Sequence, residues 1–364
     1  MNLLRMLVAA VACATGTPQA GAAAVADTLT RPAIAVAKPS KAVLLAITRA
    51  GRRLVAVGER GLIVVSDDDG RQWRQTRVPV SVTLTAAAFP HPKLGWAVGH
   101  RGAVLRSTDA GDTWALALDG RQFAALALAR ALAAQGGLGE DRSKRATADA
   151  QALVKDGADK PFLDLSFADE RHGLAVGAYG LCARTDDAGA TWQSCIDRLD
   201  NPNAAHLYAI ARVAQTTFIV GEQGLLLRSD DGGIHFVSVP MNYAGGLFCV
   251  GATASGEIMV GGLRGHAFVS TDRGRSFVPV ASDSQGSFSG TVRTADGTLL
   301  MVNQLGQVLR YIAAERRMAL LPTPPLAPLS AAVLSDAQAL VAVGVRGVAS
   351  LGTADKLIVE RVKP

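Results

Sequence analysis

Five loops, seven turns and a pair of cysteines hold the residues of this chain that invite a chemical reading. The loops follow the pattern S/T-x-D-x-G-x-x-aromatic. They are Ser66/Asp68/Gly70/Trp73, Ser107/Asp109/Gly111/Trp114, Thr185/Asp187/Gly189/Trp192, Ser229/Asp231/Gly233/Phe236 and Ser270/Asp272/Gly274/Phe277. Asp68, Asp109, Asp187, Asp231 and Asp272 suggest calcium, and neighbouring acids such as Asp67 and Asp69 suggest paired carboxylates. Each aspartate stands in a separate repeat, however, so the five share no ion. Their chemistry is local. The carboxylate accepts hydrogen bonds from loop N–H groups, the glycine takes a backbone angle that other residues resist, the hydroxyl closes the turn and the aromatic packs between sheets.

The seven turns follow G-x-x-G. The residue before the second glycine is, in order, Arg60, Arg101, Tyr179, Gln223, Arg264, Leu305 and Arg346. A guanidinium fork binds carboxylates and other anions in a fixed geometry. Arg60, Arg101, Arg264 and Arg346, with His100 beside Arg101, are therefore candidate contacts for an acidic protein segment or an anionic group. A second series, Arg106, Arg184, Arg228 and Arg310, ends the third strand of its repeats and reads as surface charge. Cys182 and Cys195 form a third candidate. If Thr185 faces Trp192 across a hairpin, the same register sets Cys182 opposite Cys195, within reach of a disulfide. Cys249 reads as a small buried apolar residue.

Other chemistry finds little support. The six histidines are scattered and none shows metal-ligand spacing. No glycine-rich loop runs from a strand into a helix, so no phosphate cradle is expected. No catalytic residue, metal or cofactor is assigned. Net charge is only +6 with no Lys/Arg block, which argues against nucleic acid as a partner.

The elements that must carry these loops are set by a repeat. The first glycine of each turn falls at Gly58, Gly99, Gly177, Gly221, Gly262, Asn303 (in place of glycine) and Gly344, spaced 41, 78, 44, 41, 41 and 41 residues apart. The long interval is one period plus an insertion. Each period holds four short strands; in the second copy these are Leu84–Phe89, Gly95–Gly99, Ala103–Ser107 and Thr113–Leu118. A hydrophobic fraction of 49% supplies a core, and 38 glycines suit many tight turns better than long helices. Seven four-stranded antiparallel units of this length predict an all-β fold, a seven-bladed β-propeller over residues 41–364. The sixth and seventh copies lack the aspartate loop, at Ala313–Glu315 and Gly352–Ala354.

The insertion, residues 119–158, is rich in alanine and leucine up to Gln135. It then reads as a second helical stretch from Ser143 to Lys155, giving a helical hairpin between blades 2 and 3. Residues 1–26 read as a signal peptide with Asp27 as the expected mature start; lipidation at Cys13 is the alternative. Residues 27–40 form a leader, whose Ile34–Ala37 is expected to pair with a final strand, Leu357–Val362, and close the ring. No later segment is long enough to span a membrane.

The aspartate loops resemble those of the sialidase and BNR-repeat superfamily. A G-x-x-G turn eight residues before each box, in seven blades behind a signal peptide, resembles more closely the photosystem II assembly and stability factors of the thylakoid lumen and cyanobacteria, with their bacterial periplasmic relatives. The resemblance covers about residues 41–350, apart from the insertion. It implies an exported, monomeric, non-enzymatic scaffold that binds a protein partner, such as a membrane-complex subunit or a transport system. The competing expectation is an exported sialidase-like glycoside hydrolase. That class needs an arginine triad and a tyrosine nucleophile paired with a glutamate. The chain has four tyrosines, none with an evident glutamate partner, and lacks the early arginine motif.

Overall fold

The computed structural model describes residues 27–134 and 140–353. The expected signal peptide, Cys13 and the expected strand Leu357–Val362 lie outside the described residues. The first sheet is an antiparallel meander of β1 (Leu44–Ala50), β2 (Arg53–Gly58), β3 (Ile63–Ser66) and β4 (Arg74–Gln75). Four-stranded sheets with the same order follow within residues 84–118, 162–194 and 207–238. The next two repeats, 247–282 and 288–320, join edge to edge through a short parallel pairing of Ala281 with Arg317 and Ser282 with Met318. The last sheet has three strands among the described residues, between Leu329 and Thr353. The architecture is all-β and propeller-like, with two helices.

The second strand of each repeat is a continuous apolar run, as in Leu54-Val55-Ala56-Val57, because both faces of every sheet are covered. Apolar clusters lie between consecutive repeats. One joins Val55, Val57 and Val65 of the first to Leu84, Leu105 and Trp114 of the second. The same rule returns to the start: Leu44, Leu54, Ala56 and Val64 of the first repeat pack with Val341 and Val343 of the last. Each box aromatic lies against the preceding sheet, and Trp73 packs at this closing seam. Polar contacts reinforce the seam. Asp336 takes Arg49 at 2.7 Å and Arg52 at 2.9 Å, while Asp69 accepts the Asp336 N–H at 3.0 Å.

The second glycine of each turn makes the ring tight. Gly61 has φ +77, and a Cβ there would lie 2.1 Å from the Val80 carbonyl oxygen, just ahead of the second sheet. At Gly347 a Cβ would lie 2.0 Å from the carbonyl oxygen of Ser40, just ahead of β1. The chain entering the next sheet thus presses on these turns; at Gly102 the start of the insertion does so instead, with Gly120 Cα 2.5 Å from the new Cβ.

Two helices follow the second sheet: α1 (Gly120–Ala133) and α2 (Glu140–Asp156). Asp119 caps α1 by accepting the Arg121 and Gln122 N–H groups, and the Gln122 side chain returns a bond to the Asp119 N–H. Phe123, Ala127 and Ala131 bury one stripe of α1 in the cluster between the second and third sheets, and Arg130 pairs with Asp197 at 2.9 Å.

The leader departs from the expected route. Ile34–Ala37 is not a strand and runs beside β4. The Gln75 side chain accepts the Val36 N–H at 2.9 Å and donates to the Ile34 carbonyl at 3.0 Å. Leu29 is buried in the cluster of the first two repeats, which draws the segment there.

Candidate functional site: the face of the G-x-x-G turns

The aspartate loops form at the opposite end of the sheets from the G-x-x-G turns, and their groups satisfy one another. Ser229 Oγ donates to Asp231 Oδ1 at 2.8 Å and accepts the Gly233 N–H at 2.9 Å, while Asp231 Oδ1 also accepts the N–H groups of Ile234 and His235. The same pattern recurs at Asp68, Asp109, Asp187 and Asp272. Hydroxyls of Ser276 and Ser270 and the Ser276 N–H hold the Asp272 carboxyl well below the usual carboxylate range. Asp67 is taken by Arg53 at 2.6 Å. Among the described residues no group of three or more His, Cys, Asp or Glu side chains is placed to hold a metal ion.

In the third repeat, Ala183 pairs with Ser194 and Arg184 with Gln193, and Cys182 and Cys195 are joined as a disulfide with a Cα–Cα distance of 5.1 Å. Cys249 is buried, and burial pushes its thiol up to about 12.

The turns project their third residue outward. Arg60, Arg101, Tyr179, Gln223 and Arg264 all adopt left-handed backbone, with φ between 52 and 60. Arg346 sits in a tighter turn between Gly344 and Gly347 and lacks that conformation. Packing sets the turns of Arg346, Arg60 and Arg101 on three neighbouring repeats; Arg264 lies on the fifth. Arg60, Arg264, Arg346 and His100 are exposed, and the three arginines make no ion pair among the described residues. Arg101 differs: its guanidinium reaches Asp27 at 3.4 Å, and Arg121 at the start of α1 holds the same carboxylate at 3.0 Å. The leader was not expected to touch this face, and only a residue distant in sequence supplies the contact. The other acids of the face are also engaged. Glu59 accepts the Val43 N–H at 3.2 Å and Glu222 the His206 N–H at 3.0 Å.

The axis of the fold carries residues that the repeat pattern alone did not single out. In every repeat the innermost strand has a bulge at its second residue: Leu45, Thr85, Leu163, Tyr208, Phe248, Ser289 and Ser330. A bulge re-aims one side chain. Six of these seven residues line a cavity of about 630 Å³, joined by Gln304 and Val345 from the turns. The seventh, Thr85, instead donates its hydroxyl to the Phe162 carbonyl at 2.9 Å. Rings continue outward from the cavity: Phe248 lies 5.2 Å from Tyr208, Tyr208 is stacked 6.2 Å from His206, and His206 lies 4.7 Å from Tyr179.

Asp164, next to Leu163, bridges the third and fourth sheets by accepting the Leu165 and Ile210 N–H groups, each at 2.8 Å. Burial raises its pKa to about 7 against those two bonds. The folded protein therefore holds a proton that the unfolded chain releases near its ordinary value, 3.8. The neutral acid contributes its full stability below that value, and the contribution is lost as pH rises through about 7. Denaturation midpoints at pH 5 and pH 8 should show a loss of stability in the wild type that Asp164→Asn lacks. An equal loss in both proteins would remove Asp164 as the cause.

Repeated aspartate-loop sheets around an apolar cavity, with Arg346 next in the chain to its lining residue Val345, define a class: an all-β, propeller-like repeat protein. Within that class, the family model described as photosynthesis system II assembly factor YCF48 matches residues 144–318, in agreement with the resemblance drawn from the loops and turns. The photosystem II assembly lipoprotein Ycf48 of Synechococcus sp. (strain CC9902) is 28% identical over 146 residues, which span 40% of this chain and 44% of the relative. Among solved structures, YCF48 bound to D1 peptide is 14% identical at a TM-score of 0.60, covering 89% of this chain and 100% of that one. YCF48 from Cyanidioschyzon merolae is 16% identical at 0.62, covering 87% and 97%. The WD40 propeller domain of Doa1 aligns equally well, at 0.61 with 9% identity over 90% and 97%. At these identities the structural likeness speaks for the fold.

Proposed function

We propose that the chain is an exported, non-enzymatic seven-bladed propeller that binds a segment of a membrane-complex protein on its G-x-x-G face, as a photosystem II assembly factor-like scaffold. The helical hairpin then stands between blades 2 and 3 as part of that face. The observation that carries the reading is the state of the charges there. Arg60 and Arg346, on neighbouring repeats, are exposed without an acidic partner, whereas Glu59, Glu222 and Asp27 are already engaged. Unpaired guanidinium groups over a concave surface favour a carboxylate-bearing ligand and steer it by field. The family match over residues 144–318 and the solved YCF48 complex with a D1 peptide support a peptide segment as that ligand. Among the described residues no helix is long and apolar enough to cross a membrane.

The test is co-purification from membranes of the source cell. Tagged protein should retain a membrane-complex subunit, and the variant carrying Arg60→Ala, Arg101→Ala and Arg346→Ala should retain at least tenfold less at unchanged thermal stability. Equal capture by wild type and variant would refute the arginine reading. Hydrolysis of a sialoside or another glycoside by the pure protein would refute the non-enzymatic one.

A further inference from the structure

The axial cavity is unlike the rim around it, and we propose that it takes a bulky apolar side chain from the same acidic segment that the arginines hold; the inference rests on the binding reading above. The occupant follows from the lining. Leu45, Leu163, Tyr208, Phe248 and Val345, from five repeats, give the cavity apolar walls; Phe288, Pro328 and Leu329 continue them beside the small side chains of Ser289 and Ser330. Its volume of about 630 Å³ falls in the range of built ligand sites. Gln304 and Val345 belong to the turns between second and third strands, so the cavity opens on the arginine face and not on the face of the aspartate loops.

Two further observations point to a chain segment. Tyr179, Leu305 and Val345, all in turns of this face, are 56%, 58% and 47% exposed, so apolar surface continues from the cavity over the rim. Val345 is also the immediate neighbour of Arg346. One ligand reaching both must present an apolar group and a carboxylate only a few residues apart. An anchor side chain in a desolvated pocket, held in register by charges at its edge, is the usual economy of a protein–protein hot spot. A cavity of this lining has no use for a purely anionic ligand, and the arginines have none for a purely apolar one.

The proposal is tested by fluorescence anisotropy with three fluorescein-labelled probes: Gly-Asp-Leu-Phe-Asp-Gly, Gly-Asp-Ser-Ser-Asp-Gly and Gly-Ser-Leu-Phe-Ser-Gly. Two cavity variants are used. Phe248→Ser makes a wall polar, and Ser330→Phe fills the space without deleting an apolar contact; circular dichroism melting confirms that each is folded. The first probe is expected to bind at least tenfold more tightly than the other two and to lose tenfold or more in both cavity variants. Binding of the first probe that is unchanged in Ser330→Phe and Phe248→Ser but lost in Arg60→Ala/Arg346→Ala overturns the cavity and leaves the arginine reading standing. The reverse pattern keeps the cavity and overturns the arginines. No binding of the first probe at millimolar concentration, or equal binding of the first two, overturns the proposal.

Discussion

Gly224→Ala should cost about 2–5 kcal/mol, a large share of an ordinary protein's stability. Two penalties add there. The residue has φ +74, where a side chain costs about 1–2 kcal/mol. A Cβ would also stand 1.8 Å from the Tyr243 carbonyl oxygen, and that oxygen belongs to the backbone entering the next sheet. It can retreat only by opening the junction between two repeats. Gly256→Ala is the control. It has φ +88 but no atom within 4 Å of the new Cβ, so only the backbone penalty remains, about 1–2 kcal/mol. Urea midpoints of both variants measure the difference. Equal losses would mean that the close approach of neighbouring repeats contributes nothing.

Reduction of the Cys182–Cys195 bridge is expected to lower stability by about 3 kcal/mol, from release of a short loop in the unfolded chain. The sequence separation is 13 residues. The bridge lies inside the cluster between third and fourth repeats, where Cys182 is 0% and Cys195 2% exposed. Dithiothreitol should therefore act slowly on the native protein and quickly after partial unfolding. Melting with and without reductant, together with Cys182→Ala/Cys195→Ala, tests this. A reductant-independent midpoint, with both thiols found free by alkylation of the unfolded protein, would remove the bridge.

The repeat was legible because its glycines serve geometry that no other residue serves well. Most glycines of these turns meet backbone of a neighbouring segment, as Gly58 meets Val43 and Gly61 meets Val80, so their spacing in the chain reports the spacing of sheets. The hairpin register was legible for a related reason: strands joined by a loop of fixed form have one pairing, and Cys182 opposite Cys195 follows from Thr185 opposite Trp192. What escaped is what depends on closure. Leu45, Tyr208 and Phe248 look like ordinary strand residues until six of the seven bulges turn toward one cavity. Asp164 occupies a place where other repeats carry Ala, Cys or Gly, and only the Ile210 N–H of the next sheet gives its carboxylate a reason to be there. The leader was misread because side chains, Gln75 and Arg101, hold it in place of a strand ladder.

The grip of Arg101 and Arg121 on Asp27 fixes more than one charge. It sets the point from which anything attached ahead of residue 27 must depart, and that point lies beside the arginine turns. A leash fixed to a bilayer at its far end would therefore pull this face, and not the aspartate loops, toward the lipid.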